Sequence, residues 1–169
     1  MTSRDLDPRA PIVDAETFTL VAELELRRAI RLQYYVSLLA LRADFEPPGP
    51  APDRVEVARL IAEVIRDQIR STDVVGAMPS SPYLGVLLVS TYLDNLPAIT
   101  ERIATAVQAR ALDLEDSSVR TTLSMGGACF PTTARARAEL FRQAESLSIE
   151  AGKEPGASGY RYRLAPRAL

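Results

Sequence analysis

The 169-residue sequence contains no histidine and a single cysteine, Cys129. Without histidine, the chain lacks the commonest general base, the histidine-dependent nucleophile pairs and histidine metal ligation. One cysteine in an apolar stretch excludes an intramolecular disulfide and a thiolate metal site. Lysine is also scarce, since Lys153 is the only lysine among 20 basic residues. The other basic residues are arginines, which bind phosphate and guanine more specifically than lysine does.

Charge and hydropathy exclude further classes of protein. The net charge of −2 at pH 7 provides no basic excess of the kind that nucleic-acid-binding domains carry. No apolar run approaches the roughly 18 residues of a membrane-spanning helix, and the N-terminus lacks the apolar core of a signal peptide. Because 47% of the residues are apolar, the chain can bury one sizeable core. We therefore expect a soluble cytoplasmic domain that neither binds nucleic acid nor inserts into a membrane.

Apolar periodicity and capping residues predict helices and strands in the order αβαββαβαβ. The helices are expected to be capped by Asp14, Asp53, Asp94 and Thr133. The predicted strands are 34–43, 74–78, 83–90, 119–130 and 160–164, the last of them an edge strand. The central βαββαβ pattern is typical of an α+β, ferredoxin-like mixed sheet with its helices on one side.

A single domain is expected over residues 14–164, with a flexible arm at 1–13 and a short tail at 165–169. The first helix is predicted to bury a broad apolar stripe. That stripe comprises Phe18, Val21, Leu24 and Leu32, with Leu20 and Ile30 beside it.

The two middle strands are separated by Pro79-Ser80-Ser81-Pro82, which predicts an exposed and stiff hairpin turn. The helix before them is expected to end at Arg70, so that Arg70-x-x-Asp73 spans the join between helix and strand. Two interpretations stay open for this pair. Arg70 can cover the last helix carbonyls while Asp73 organises the turn, or both can contact a ligand.

Several segments, in their order along the chain, resemble the GGDEF domain of diguanylate cyclases. The resemblance covers about residues 14–163 and implies a GGDEF, nucleotide-cyclase-like fold. The segments that carry it are Asp14-Ala-Glu-Thr17, 36–45, Arg70-Ser-Thr-Asp73-Val-Val, Leu84-Gly-Val-Leu-Leu88, 119–131 and Arg142-Gln-Ala-Glu-Ser-Leu.

The chain departs from this family at the residues that would perform the reaction. Where the family has Gly-Gly-Asp/Glu-Glu-Phe, this sequence has Ser80-Ser81-Pro82-Tyr83-Leu84. The family joins two GTP molecules with the help of two Mg²⁺ ions held by carboxylates. The signature glutamate falls on Tyr83, and the metal-binding aspartate of the first strand falls at about Leu41 or Arg42. The resemblance therefore implies a degenerate, catalytically inactive domain without a metal site.

A second site of the family is retained. Its product-inhibition site binds cyclic di-GMP through Arg-x-x-Asp before the hairpin and an arginine from the following helix. Arg70 and Asp73 match that motif in type and place, and Arg102 stands at about the position of the second arginine. A guanidinium can bond the O6 and N7 edge of guanine and also a phosphate. The resemblance thus implies a cyclic di-GMP site at Arg70, Asp73 and Arg102.

The leading hypothesis is a cyclic di-GMP receptor that needs no cofactor and signals through altered docking with a protein partner or a second copy. The alternative is a ligand-free module for protein interaction or dimerisation, for which a proline-stiffened turn is suitable because a rigid tip docks at little entropic cost. A third hypothesis is residual GTP binding or cyclase activity, which would need an unusual metal arrangement.

Overall fold

The computed structural model describes residues 12–46, 54–80, 83–109, 120–154 and 160–167. Within these residues the predicted order of helices and strands is confirmed, and a 3₁₀ helix at Leu93–Asn95 precedes the third α-helix. The elements are α1 (Ala15–Leu32), β1 (Val36–Glu46), α2 (Arg54–Arg66), β2 (Val74–Ala77), β3 (Leu84–Val89), α3 (Leu96–Ala109), β4 (Arg120–Phe130), α4 (Arg137–Gly152) and β5 (Tyr160–Leu164).

The five strands form one mixed sheet in the order β2-β3-β1-β4-β5. β1 lies in the centre and runs antiparallel to both β3 and β4, whereas β5 runs parallel to β4 at one edge. The central position explains the continuous apolar run in β1, because a strand covered on both faces buries every side chain. Val36, Leu38, Leu39 and Ala40 are accordingly fully buried.

Helices cover both faces of the sheet. Leu39 and Leu41 belong to a core cluster with side chains of α2 and α3, while Leu38 and Ala40 belong to a cluster with α1 and α4. Since successive residues of a strand point to opposite faces, the two clusters lie on opposite sides of the sheet. The two helices of the βαββαβ core therefore share one face, as predicted, and α1 and α4 occupy the other.

The predicted stripe of α1 is wrong for most of its large side chains. The helix buries Phe18, Ala22, Leu26 and Ala29 against the sheet. Leu20, Leu24, Ile30 and Leu32 are exposed instead. Alanines at helical spacing let the backbone of α1 approach the sheet closely, and a stripe drawn through the largest apolar residues misses them.

Phe18 positions α1 on the β2–β3 hairpin. Gly76 and Gly85 face each other in the two strands, and a Cβ atom on Gly76 would lie 2.3 Å from Cδ2 of Phe18. The ring therefore occupies the space that side chains at these two positions would fill. Beside it, Val13 pairs with the edge of β2, since its N–H donates to Val75 O and its carbonyl accepts from Ala77 N.

The predicted helix caps have different outcomes. Asp14 caps α1, because its Oδ1 accepts from the Thr17 amide at 2.7 Å. Thr133 does not cap α4, which begins at Arg137; its hydroxyl accepts from the Cys129 amide at 3.0 Å. Asp94 lies in the 3₁₀ helix before α3, and Asp53 lies outside the described residues. No helix in the described ranges is long and apolar enough to cross a membrane.

Candidate ligand site at the α2–β2 junction

Asp73 lies in the loop between α2 and β2, and its side chain is only 2% exposed. Its Oδ2 accepts from the Arg70 amide at 3.0 Å, and its Oδ1 accepts from the Val89 amide at 2.9 Å. The first bond closes the turn that follows α2. The second bond joins the start of β2 to the end of β3, just beyond the last paired residues of the hairpin. The carboxylate thus accepts hydrogen bonds from two backbone amides that have no partner in a neighbouring strand at this place.

Arg70 lies beside Asp73, and its side chain is 60% exposed. One terminal nitrogen of the guanidinium donates to Val89 O at 2.6 Å and to Thr91 Oγ1 at 3.0 Å. Nε is 3.8 Å from Asp73 Oδ2. These contacts orient the planar guanidinium and leave most of the side chain at the surface.

Arg102 reaches the same loop from α3. Its guanidinium donates to Gln68 O at 2.8 Å, two residues before Arg70 in the chain. A cation here also covers a carbonyl just past the end of α2, where the helix dipole favours positive charge. The structure therefore brings Arg70 and Asp73 into contact and places the Arg102 side chain against the neighbouring backbone.

An aromatic cluster adjoins this junction and was assigned no role from the sequence. Thr91, which accepts from Arg70, is followed by Tyr92. The ring centroids of Tyr35 and Tyr92 are 4.6 Å apart. The guanidinium of Arg167 lies 5.3 Å from the Tyr92 centroid and donates to Asp94. Arg167 stands in the predicted tail, where no local pattern indicates a tertiary contact.

At the closed end of the hairpin, where the chain passes from β2 to β3, the flanking side chains are buried and apolar. The Met78 amide donates to Tyr83 O at 3.0 Å, and the Tyr83 amide donates to Ser80 O at 3.3 Å. The Tyr83 side chain is buried with Met78 and Phe18 on the α1 side of the sheet. Leu84 is buried on the opposite side. Ser80 is exposed, and Ser81 and Pro82 lie outside the described residues.

A carboxyl group from α4 approaches the same end of the hairpin. This is the carboxyl group of Glu145. Burial raises the pKa of Glu145 above its ordinary value, and its interaction with the Ser80 side chain opposes that shift.

On β1, Leu41 is buried and faces Leu84 of β3 and Met125 of β4. Arg42 is partly buried. Across the described part of the chain, no group of three or more histidine, cysteine, aspartate or glutamate side chains could hold a metal ion.

Searches with protein-family models and among curated proteins find no match for this chain. Solved structures do match. The GGDEF domain of YfiN (TpbB) from Pseudomonas aeruginosa has a TM-score of 0.75 and 24% identity, over 95% of this chain and 94% of that one. The coiled coil and GGDEF domain of DgcB from Caulobacter crescentus, in complex with c-di-GMP, has a TM-score of 0.71 and 14% identity, over 94% and 83%.

A third similar structure is that of a diguanylate cyclase with a protein bound to it. SiaD from Pseudomonas aeruginosa, in complex with its activator SiaC, has a TM-score of 0.68 and 17% identity. The match covers 87% of this chain and 57% of SiaD. At these identities the likeness concerns the course of the backbone.

Proposed function

Since the chain has the GGDEF-domain fold, we propose that it is a catalytically inactive domain that binds cyclic di-GMP at the α2–β2 junction. Arg70 is the principal ligand group and Arg102 the second. Binding alters how the domain docks with a protein partner or with a second copy. The observation that carries the proposal is the Arg70 side chain, which is 60% exposed and whose guanidinium is already oriented by Val89 and Thr91.

An oriented guanidinium suits a guanine nucleotide. Its planar fork matches the O6 and N7 edge of guanine and also bonds phosphate oxygens. A side chain that is fixed before the ligand arrives loses less conformational entropy on binding. Cyclic di-GMP contains two guanines and two phosphates, so Arg70 and Arg102 can engage different groups of one ligand. DgcB, which shares the fold, was solved with the same dinucleotide.

Asp73 acts in this proposal as a positioning residue. The resemblance implied a direct contact from its carboxylate to guanine, which requires an accessible oxygen. Both oxygens accept backbone amides, and the side chain is nearly inaccessible. Its proposed role is therefore to hold the loop that presents Arg70.

The surroundings of β1 and the hairpin support the proposed inactivity. Tyr83 stands where the resemblance places the signature glutamate, and its side chain is buried among apolar groups. Leu41, one of the two positions assigned to the metal-binding aspartate, is buried as well. At the other position, Arg42 would repel a cation. Incubation with GTP and either Mg²⁺ or Mn²⁺ tests this part, and formation of cyclic di-GMP would overturn it.

Isothermal titration calorimetry with cyclic di-GMP tests the receptor proposal. We expect binding at micromolar concentration or tighter, about tenfold or more weaker in Arg70→Ala. Arg70→Lys keeps the charge and loses the fork, so it should also weaken binding. Arg59→Ala is the matched control, because Arg59 is an exposed α2 arginine whose ion pairs join it to Glu56 and Glu63. Wild-type protein that releases no heat at high ligand concentration would reject the receptor role.

The ligand-free interaction module is the second candidate. It is favoured by the fact that the Asp73 carboxylate and the donating nitrogen of Arg70 already bond within the domain. In that case calorimetry shows no binding, and light scattering gives the same mass with and without nucleotide.

A further inference from the structure

Exposed apolar side chains in the described residues are concentrated on one helix. The described residues include seven large apolar residues with exposed side chains, and four of the seven lie on α1. Leu20 and Leu24, at 58% and 51% exposure, point away from the sheet, since the buried positions of the helix are Phe18, Ala22, Leu26 and Ala29. Scattered apolar residues on a surface are ordinary, whereas a cluster on one face marks a binding surface.

The two leucines are part of a regular row. Glu16, Leu20, Leu24 and Arg28 follow one another at intervals of four residues and are all exposed. Residues at this spacing are neighbours on a helix surface. The row therefore presents an acid, two leucines and a base in that order. The Arg28 side chain is 66% exposed and its guanidinium is 3.6 Å from a carboxylate oxygen of Glu25, whose side chain is 13% exposed. This distance is too long for a hydrogen bond, so the guanidinium can turn to another acid.

This order is complementary to its own reverse. In an antiparallel pair with a two-fold axis between Leu20 and Leu24, Leu20 of each copy meets Leu24 of the other copy. Each Glu16 then faces an Arg28. A parallel pair would place Glu16 against Glu16 and Arg28 against Arg28, which is repulsive. Rows of four-residue spacing also interdigitate in the commonest class of helix crossing, at about −50°.

We propose that α1 is a self-association surface, through which two copies of this chain pack antiparallel along the row of Glu16, Leu20, Leu24 and Arg28. The row is short, so the dimer is weak and depends on protein concentration. It lies on the opposite face of the sheet from α2 and α3, which supply Arg102 and the approach to Arg70. Dimerisation therefore does not require nucleotide.

Sedimentation velocity of the full chain without nucleotide, over a range of protein concentrations, tests the surface. Wild-type protein should shift from monomer to dimer as concentration rises. Leu20→Glu and Leu24→Glu should raise the dissociation constant tenfold or more, because each places a carboxylate in the apolar centre of the contact. Ile149→Glu is the control, since Ile149 is exposed to 45% but lies on α4. Circular dichroism checks that each variant is folded.

A charge swap tests the orientation. Glu16→Arg and Arg28→Glu should each weaken the dimer, and the double variant should restore it, because the swapped charges face each other again across the two-fold axis. Wild-type protein that remains monomeric would overturn the proposal. A dimer indifferent to Leu20→Glu, or one that the double swap fails to restore, would overturn it too. Because no nucleotide is present, none of these outcomes bears on the cyclic di-GMP site.

Discussion

The two ends of the β2–β3 hairpin are built on different principles. At the open end, charged and polar side chains hold the backbone, because Asp73 accepts two amides and Arg70 donates to Val89 O. At the closed end, Tyr83 and Met78 are buried in the apolar core. The same two strands therefore end in a junction held by polar side chains on one side and beside buried apolar side chains on the other.

This difference shows that a residue's role cannot be assigned from a family resemblance by residue type alone. Asp73 matches the family's motif in type, yet its carboxylate is committed to the backbone of the domain itself. Tyr83 stands where the resemblance places the family's signature glutamate, and its side chain is part of the core. A match in residue type thus leaves open whether a side chain can reach a ligand, and exposure has to decide it. Arg70 combines a matching type with an exposed side chain.

The largest loss of stability is expected from Tyr83→Glu, which introduces a carboxyl at the closed end, where the resemblance places the family's glutamate. Because the site is 8% exposed, an unpaired charge there should cost about 4 kcal/mol of unfolding free energy. Tyr83→Phe keeps the ring and should remain within about 1 kcal/mol of wild type. Urea denaturation measures both. A stable Tyr83→Glu protein that converts GTP would show that the closed end is a damaged active site rather than a core position.

A smaller but still large effect is expected at the open end from Asp73→Ala. Two backbone amides lose their acceptor, so we expect a loss of about 3 kcal/mol. Asp73→Asn keeps one carbonyl oxygen and should lose about half as much. Asp94→Ala is the control, because it removes an exposed carboxylate bonded to Arg167 and should cost about 1 kcal/mol or less. Equal stability of Asp73→Ala and Asp94→Ala would contradict the structural role of Asp73.

The smallest loss of stability is expected from Asp14→Ala. Like Asp73, Asp14 accepts a hydrogen bond from a backbone amide, but it does so at the exposed start of α1. Hydrogen bonds from Thr17 lower the pKa of Asp14 below its ordinary value of 3.8. A lowered folded-state pKa means that the cap stabilises the fold above that ordinary value and loses its effect as the pH falls through the folded-state pKa. Asp14→Ala should therefore be less stable than wild type at pH 7 and equal to it in strong acid. Chemical denaturation at both pH values measures this, and a difference that persists in acid would contradict it.

Much of the fold could be predicted because its signals are local. The apolar run of β1 indicated a central strand, and the alternation at 160–164 gave β5 with its observed bounds. The Asp14 cap was also predicted correctly. The stripe of α1 was not, because alanines that allow close approach carry little apolar signal of their own. The start of α4 was misplaced because Thr133 bonds to Cys129 instead of to the first turn of the helix.

The candidate site could be predicted only in part. The family resemblance placed Arg70, Asp73 and Arg102 at one site. In the structure Arg70 lies beside Asp73, and Arg102 donates to Gln68 O in the same loop. Nothing in the local pattern indicated that Val89 would use an oxygen of Asp73, since the two residues are 16 positions apart. The cluster of Tyr35, Tyr92 and Arg167 was missed for the same reason.

The amino-acid sequence by itself determined the order of helices and strands, since periodicity, caps and turn residues act over a few neighbouring positions. It also determined which residue types are at hand for chemistry. Only the tertiary structure decided that Asp73 is buried and Arg70 exposed, and that Leu20 and Leu24 face away from the sheet. The physical reason is that exposure and hydrogen-bond partners depend on segments distant in the chain, which come together only when the sheet and its two helical layers assemble.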